Sequence, residues 1–183
     1  WLTHNGRILQ SACVGIQRSA SSFPLTWGLH VDFLAAVMMS LTAALHFVIH
    51  GYAMAYLQTA RRRYGILTGL FVSAMLFLLM ADNFIFLFVG WEVVSVMSYL
   101  LVSFAYQQPM AAQSGTKTWL IHQLGSILLL IGILRLGQET RHFALSMFLT
   151  MAEDTAGDSD WLHLAQWCLL GGACVKSAQW PFF

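Results

Sequence analysis

The chain has 183 residues, of which 58% are hydrophobic and 9% charged, whereas soluble domains carry about 25% charged residues. This composition excludes an ordinary soluble domain and predicts a membrane protein. The formal net charge of +1 arises from few, scattered charges, so no basic face that would bind nucleic acid is expected.

Residues 1–28 mix glycine, serine, glutamine and arginine without helical periodicity, and the Ser-Ser-Phe-Pro run at 21–24 is a turn signal. We therefore predict a loop segment outside the membrane, in which a short hairpin is one arrangement. The chain begins at Trp1 and breaks off inside an apolar run at 180–183, so we expect it to be part of a longer protein.

Five stretches satisfy the requirement of a transmembrane helix for roughly 20 mostly apolar residues. They cover about 29–57, 65–82, 84–106, 117–137 and 161–183. The sequence thus predicts an all-α membrane protein whose residues 29–183 form a five-helix transmembrane bundle. Between the last two helices, residues 143–151 are apolar but too short to span, which predicts an interfacial helix, and residues 153–160 form an acidic loop.

The Lys/Arg distribution predicts the orientation of the bundle. Alternating the five helices places Arg61, Arg62, Arg63 and Lys117 on one side, with no acidic residue in the same loops. Such an excess marks the cytoplasmic face, so we expect a multi-pass protein of the bacterial inner membrane with residues 1–28 outside.

Two charged residues lie where charge is costly, at roughly 2.5–3.5 kcal/mol at mid-membrane on insertion scales. Glu92 lies about two turns into the third predicted helix, and Lys176 follows a Gly-Gly-Ala run in the fifth. A buried glutamate and lysine on neighbouring helices can exchange a proton near neutral pH, which predicts a proton relay. The alternative is a structural ion pair that only fixes helix packing.

Further polar residues extend this candidate relay. Ser95 and Tyr99 follow Glu92 on nearly the same helix face and form a strip that water can wet. On the fourth helix, Thr118, His122 and Ser126 recur every four residues, and a histidine there can pass protons between Lys176 and Glu92.

The first predicted helix repeats this spacing with Thr42, His46 and His50. We interpret His46 as a secondary relay residue or a packing residue, and His50 as solvated near the cytoplasmic end. Two histidines at i and i+4 are half of a metal site, but no H-E-x-x-H motif or cysteine cluster completes it, so no metal is expected. The three cysteines lack C-x-x-C spacing, and no nucleotide, haem or iron–sulfur motif predicts a cofactor.

Four motifs stand out along the chain: Ala-Asp-Asn at 81–83, Gly-Trp-Glu at 90–92, Ser-Tyr-Leu-Leu at 98–101 and the Leu-Gly-Gly to Lys-Ser-Ala-Gln-Trp-Pro run at 170–181. In their order and spacing they resemble the antiporter-like subunit L family of respiratory complex I (NADH:quinone oxidoreductase), with its Mrp antiporter and membrane-bound hydrogenase relatives. The resemblance implies a larger subunit built from two inverted five-helix repeats, of which this chain is similar to the first. It also implies that Glu92 and Lys176 match the family's proton-handling pair.

The fourth helix departs from the family pattern. Lys117 is kept as a further possible relay residue, but Gln123 and Ser126 stand where the family usually has an arginine and an aspartate. This departure suggests a specialised relative, and one alternative is the membrane subunit of the DAB-type inorganic-carbon uptake system, with a soluble zinc partner resembling carbonic anhydrase. A non-conducting membrane anchor is a third possibility.

The partners expected from the resemblance are the lipid bilayer, other membrane subunits and a soluble catalytic partner. The transported ion would be H⁺ or Na⁺. The chain itself carries no catalytic residues, so any redox chemistry or carbon hydration would take place in the soluble partner.

Overall fold

The computed structural model describes residues 29–57, 60–140, 143, 145 and 160–179. They form five helices: α1 (Phe33–Tyr56), α2 (Arg61–Leu79), α3 (Phe84–Val102), α4 (Pro109–Thr140) and α5 (Asp160–Lys176). The described residues contain no strand, and an isolated antiparallel bridge joins Leu29 and Ala81, so the predicted all-α fold is confirmed. The predicted N-terminal hairpin, and nearly all of the interfacial helix and acidic loop, lie outside the described residues.

Helices α1 to α4 are each long and apolar enough to cross a membrane. The helix bounds differ from the prediction most at two ends, the start of α4 and the end of α5. Helix α4 begins at Pro109 rather than 117, because proline suits the first turn, and its 32 residues extend for about 48 Å. Helix α5 ends at Lys176 rather than 183, because the chain turns at residues 177 and 178.

The chain divides into two compact units. Unit 1 contains α1, α2 and residues Val89–Leu120. Unit 2 contains residues Ala81–Phe88 and the described residues from Ile121 onward. Helices α3 and α4 therefore contribute residues to both units.

In unit 1, α1 and α2 form an antiparallel pair. Asp32 caps α1 by accepting a hydrogen bond from the Ala35 amide at 2.6 Å, as short acidic side chains do at helix N-termini. The chain reverses at Ala60, whose φ of 62° lies in the left-handed region, and the Nε of Arg61 donates to the Leu57 carbonyl. This tight reversal sets the two helices side by side.

Glycines allow the other helices of unit 1 to approach closely. A Cβ on Gly90 of α3 would lie 3.2 Å from the Cα of Leu78 on α2. A Cβ on Gly115 of α4 would lie 2.7 Å from the Cβ of Ser103. Backbones that approach this closely are typical of helix packing in membranes, where small residues form the interface.

In unit 2, buried Asn83 begins α3 by accepting a hydrogen bond from the Ile85 amide at 2.8 Å. Main-chain bonds join this start to two residues beyond α4: the Phe84 amide donates to the Phe143 carbonyl, and the Leu145 amide donates to the Asp82 carbonyl, each at 2.9 Å. The start of α3 is thereby fixed within unit 2.

Helices α4 and α5 cross through glycines on both sides. A Cβ on Gly172 would lie 2.9 Å from the Gly125 carbonyl oxygen, and a Cβ on Gly125 would lie 3.0 Å from the Cβ of Val175. Gly132 approaches Leu169 in the same way, at 2.9 Å. Residue numbers rise on one helix as they fall on the other, so α4 and α5 are antiparallel.

Candidate functional site

Glu92 lies in unit 1, on α3, eight residues or about 12 Å from the start of the helix. The residue is half-buried, and its Oε1 atom is buried without a hydrogen-bond partner among the described residues. A buried carboxylate oxygen without a donor is costly, at about 1–3 kcal/mol or more, unless it binds a proton, a cation or water. Among the described residues of unit 1, Glu92 is therefore the buried carboxyl group that offers an unoccupied acceptor oxygen.

The predicted polar strip continues from Glu92 along α3. Ser95 is fully buried, and its hydroxyl donates to the Trp91 carbonyl at 2.8 Å. Ser103 repeats the arrangement with the Tyr99 carbonyl, also at 2.8 Å. Both serines donate their hydroxyl protons to the carbonyl four residues earlier in the same helix.

Lys176 is the last helical residue of α5, in unit 2, and is half-buried. Two bonds close the helix behind it: the Gln179 amide donates to the Cys174 carbonyl at 3.0 Å, and the Ala178 amide to the Val175 carbonyl at 3.2 Å. This is a Schellman motif with alanine, at φ 50°, in the position usually taken by glycine. The negative end of the helix dipole favours the ammonium by about 0.3–1 kcal/mol.

The antiparallel register of α4 and α5 places Lys176 beside the polar stripe of α4. Gly125 lies opposite Val175, so Lys176, one residue further, lies at the level between His122 and Ser126. Ser126 is 3% exposed, and its Oγ has no hydrogen-bond partner among the described residues. His122 is half-buried, with a buried Nδ1. Unit 2 thus brings together three of the predicted relay residues.

Glu92 belongs to unit 1 and Lys176 to unit 2. Their direct exchange of a proton remains a prediction. Lys117 lies inside α4, in unit 1, as an exposed residue rather than at the start of the helix.

His50 occupies a more specific environment than the solvated one predicted from the sequence. Its Nδ1 lies 3.3 Å from the Oγ1 of Thr68, a residue of α2 that is 5% exposed. The His46 and His50 rings are 5.2 Å apart, and the Tyr64 ring stacks 6.4 Å from His50. The sequence analysis did not identify Thr68 and Tyr64 as neighbours of His50. The two residues are four apart, and this spacing indicates that they share one face of a helix.

An aromatic group holds Arg63 at the same end of unit 1. Its guanidinium lies 5.2 Å from the centre of the Phe104 ring and 4.9 Å from that of Tyr106. Such cation–π contacts contribute about 0.5–1 kcal/mol at exposed sites. Among the described residues, no cluster of three or more His, Cys, Asp or Glu side chains could hold a metal ion.

The motifs and the all-helical fold agree with the comparisons to known proteins. A family model described as NADH:quinone oxidoreductase/Mrp antiporter, TM, matches residues 81–183, which is more than half of the chain. The chain belongs to this antiporter-like family. A second model, described as the N-terminus of chain 5 of NADH-ubiquinone oxidoreductase (complex I), matches residues 18–65.

Similar proteins include two bacterial NADH-quinone oxidoreductase subunits L. That of Pseudomonas aeruginosa is 33% identical over 89% of this chain and 27% of its own length, and that of Escherichia coli K12 is 32% identical over 97% and 29%. A chain of the Mrp complex from Dietzia sp. DQ12-45-1b has the same fold, with a TM-score of 0.83 and 26% identity over 94% of this chain and 19% of that one.

These relatives and the four apolar helices identify a multi-pass protein of the inner membrane. The chain spans somewhat more than a quarter of the length of the two subunits L. It corresponds to a part of an antiporter-like subunit.

Proposed function

We propose that this chain is a proton-translocating half-module of an antiporter-like subunit, and that protons move through a relay of Glu92 and Lys176. The single observation that carries the proposal is the buried Oε1 of Glu92, without a hydrogen-bond donor among the described residues. A carboxylate in this state gains stability by taking up a proton or a cation.

Lys176 supplies the second station of the relay. It is the last helical residue of α5, and the register beside α4 puts His122 and Ser126 within the same stretch of unit 2. In this mechanism Glu92 stores a proton, the charge state of Lys176 controls its release, and His122 links Lys176 to the next site. Ser95, Tyr99, His46 and Lys117 serve as secondary stations.

The module operates within a longer subunit. Residues 29–183 form the first of two inverted repeats, the Arg61–Arg63 side faces the cytoplasm, and the subunit works with other membrane subunits and a soluble partner whose chemistry drives transport. Either H⁺ or Na⁺ can satisfy a carboxylate of this kind. No observation on the described residues favours the alternative function in inorganic-carbon uptake.

The relay is tested in the complete subunit within its complex, by gradient formation in inverted membrane vesicles. Glu92→Gln and Lys176→Met should each abolish coupled transport while the complex still assembles, and His122→Ala should weaken it. Arg135→Met is the matched control, because it removes an exposed cation from α4. Full transport by an assembled Glu92→Gln complex would show that Glu92 is structural.

A further inference from the structure

The three arginines at the start of α2 form a charged surface that the proposed relay does not use. Arg61, Arg62 and Arg63 are exposed, and the first turn of α2 contains no acidic residue. The carboxylates of unit 1 are Asp32, which caps the opposite end of α1, and Glu92, which lies inside α3. In the described part of unit 1, no carboxylate therefore lies close enough to neutralise these cations.

The position of these arginines in their own helix is electrostatically unfavourable. The first turn of a helix carries the positive end of the helix dipole, which favours acidic side chains and disfavours cations. The residue before the helix, Ala60, makes no side-chain hydrogen bond that would offset this effect. Natural sequences break such a local rule mainly where a further interaction compensates for it, and an external anion would do so here.

Aromatic contacts fix one of the arginines between two elements of unit 1. The Arg63 guanidinium lies 4.9 Å from the centre of the Tyr106 ring and 5.2 Å from that of Phe104, both in the turn after α3. The Phe104 ring in turn meets Tyr64 of α2 edge-on, at 5.7 Å. Arg63 is thus held in place before any ligand arrives, which lowers the entropic cost of binding one.

The guanidinium groups can recognise a phosphate. Arg61 donates its Nε to the Leu57 carbonyl, which leaves its two terminal nitrogens as donors, and Arg62 is exposed between its neighbours. Arginine binds phosphate oxygens through two parallel N–H bonds, and it does so while its plane contacts aromatic rings. We call Arg61, Arg62, Arg63 and Tyr106 the arginine surface.

An exposed apolar stripe on α1 ends beside the arginine surface. Its members recur every three or four residues, and at least half of each side chain is exposed: Leu41, Leu45, Val48, Tyr52 and Tyr56. The Tyr52 and Tyr56 rings stack 6.0 Å apart in the last turns of the helix, as tyrosines do at membrane–water interfaces. The stripe extends for about 22 Å, which exceeds half of the roughly 30 Å hydrocarbon core, so an acyl chain of one leaflet fits along it.

From these contacts we propose that the arginine surface binds the headgroup phosphate of an anionic phospholipid, whose acyl chains lie along the exposed stripe of α1. A lipid matches both parts of the site, because it joins an anion to an apolar chain, whereas an acidic protein segment matches only the cations. Anionic headgroups attract arginine near the membrane surface. The proposal depends neither on the Glu92 relay nor on which side of the membrane the arginines face.

Photo-crosslinking to the complete subunit in its purified complex tests the site. Phosphatidylglycerol and phosphatidylcholine are compared, each with the same photoreactive group near the headgroup, and labelled peptides are identified by mass spectrometry. The anionic lipid should label residues 56–63 and 104–110 more strongly than the zwitterionic one. Arg62→Gln should reduce this labelling by about fivefold, the factor expected for one arginine at an anionic surface. Arg135→Gln, which removes an exposed cation of α4, is the matched control and should not reduce it.

A second pair of variants separates a built site from general attraction between cations and an anionic membrane. Tyr106→Leu removes a ring that holds Arg63 but changes no charge, so it should weaken labelling by the anionic lipid roughly two- to fivefold. Tyr106→Phe keeps the ring and should retain wild-type labelling. Wild-type labelling of the Tyr106→Leu variant would show that the rings do not build the site, and the proposal would be wrong.

Three further outcomes would overturn the lipid assignment. Equal labelling of the wild-type complex by both lipids would show that the headgroup charge is not read, and this comparison needs no variant. Displacement of phosphatidylglycerol by an equal concentration of inorganic phosphate would indicate a site for soluble anions. If Arg62→Gln leaves lipid labelling unchanged but releases another subunit from the complex, the arginine surface binds protein.

Discussion

Ala178 has an unusual backbone conformation and lies two residues from Lys176 of the candidate site. Its φ of 50° is a left-handed conformation that costs an alanine about 1–2 kcal/mol, and it ends α5 two residues after Lys176. The Schellman bonds maintain this conformation. Because the left-handed conformation of Ala178 cannot continue an α-helix, Lys176 lies at the C-terminal end of α5 instead of in the interior of a longer helix.

Relief of this strain gives a stability prediction. Ala178→Gly should stabilise the protein by up to about 1 kcal/mol, because glycine adopts positive φ without a Cβ clash. Ala178→Val should destabilise it by more than that, since a β-branched side chain fits this region worst. Thermal unfolding of the purified complex measures both. Equal melting temperatures for the glycine and valine variants would contradict the strain assigned to Ala178.

Asn83 provides a second prediction at the scale of the residue. Its side chain accepts the Ile85 amide hydrogen bond and is 2% exposed, so Asn83→Ala should destabilise the start of α3 by about 1–2 kcal/mol. Asn83→Asp keeps the accepting oxygen and should lose less. Hydrogen exchange at the Ile85 amide reports the effect locally, and unchanged protection in the alanine variant would refute the capping role.

Residue types suggest candidate residues but not their surroundings. Glu92, Lys176 and His122 stand out in the sequence because charged and titratable groups are rare in apolar helices, and their role in a relay stays a prediction. The contact of His50 with Thr68 could not be predicted, because a threonine inside an apolar helix usually bonds to its own backbone. Thr68 does this too, and only the helix register shows that it also meets His50.

At the scale of the helix, the glycines determine how close the elements lie. Gly172 faces the Gly125 carbonyl, whereas Gly69 of α2 has open space where a Cβ would be placed. The two positions look alike in the sequence but differ in their surroundings.

This difference predicts opposite outcomes for the same substitution. Gly172→Ala should destabilise by about 1–3 kcal/mol, because a Cβ 2.9 Å from a backbone oxygen forces α4 and α5 apart. Gly69→Ala is the control and should be neutral or slightly stabilising. Denaturation of the complex in detergent compares them, and a neutral Gly172→Ala variant would contradict the close α4–α5 crossing.

The helix ends were the least predictable part of the elements. Residues 109–116 include Gln113, Ser114 and Thr116, whose polarity suggests a loop, yet α4 begins at Pro109 because the turn after α3 ends there. The end of α5 was equally hidden, because no glycine marks it. Apolar periodicity identifies a helix more reliably than its first or last turn.

For the whole molecule, the proposed orientation rests on the three arginines at the start of α2. Arg61, Arg62 and Arg63 are exposed, and Arg63 is held against two aromatic rings. Because an excess of Lys and Arg is typical of cytoplasmic loops, we expect this end of unit 1 to face the cytoplasm.

Cysteine labelling tests this orientation. A cysteine substituted at Arg62, in the complete subunit, should react with a membrane-impermeant maleimide only in inverted vesicles. Both variants are made with the three native cysteines replaced by serine, and Ser40→Cys, inside α1, is the control that should stay unlabelled in both preparations. Labelling of the residue 62 variant in intact cells would reverse the assignment.

The close crossing of Gly125 and Gly172 also restricts how α4 and α5 can move against each other. With main chain against main chain, α5 cannot slide along α4 by a helical turn without a collision. If the proposed relay operates, Lys176 must therefore respond to a nearby charge through its own rotamers or through rewinding of residues 177–179. The change expected in this part of unit 2 is local, and the α4–α5 crossing itself stays fixed.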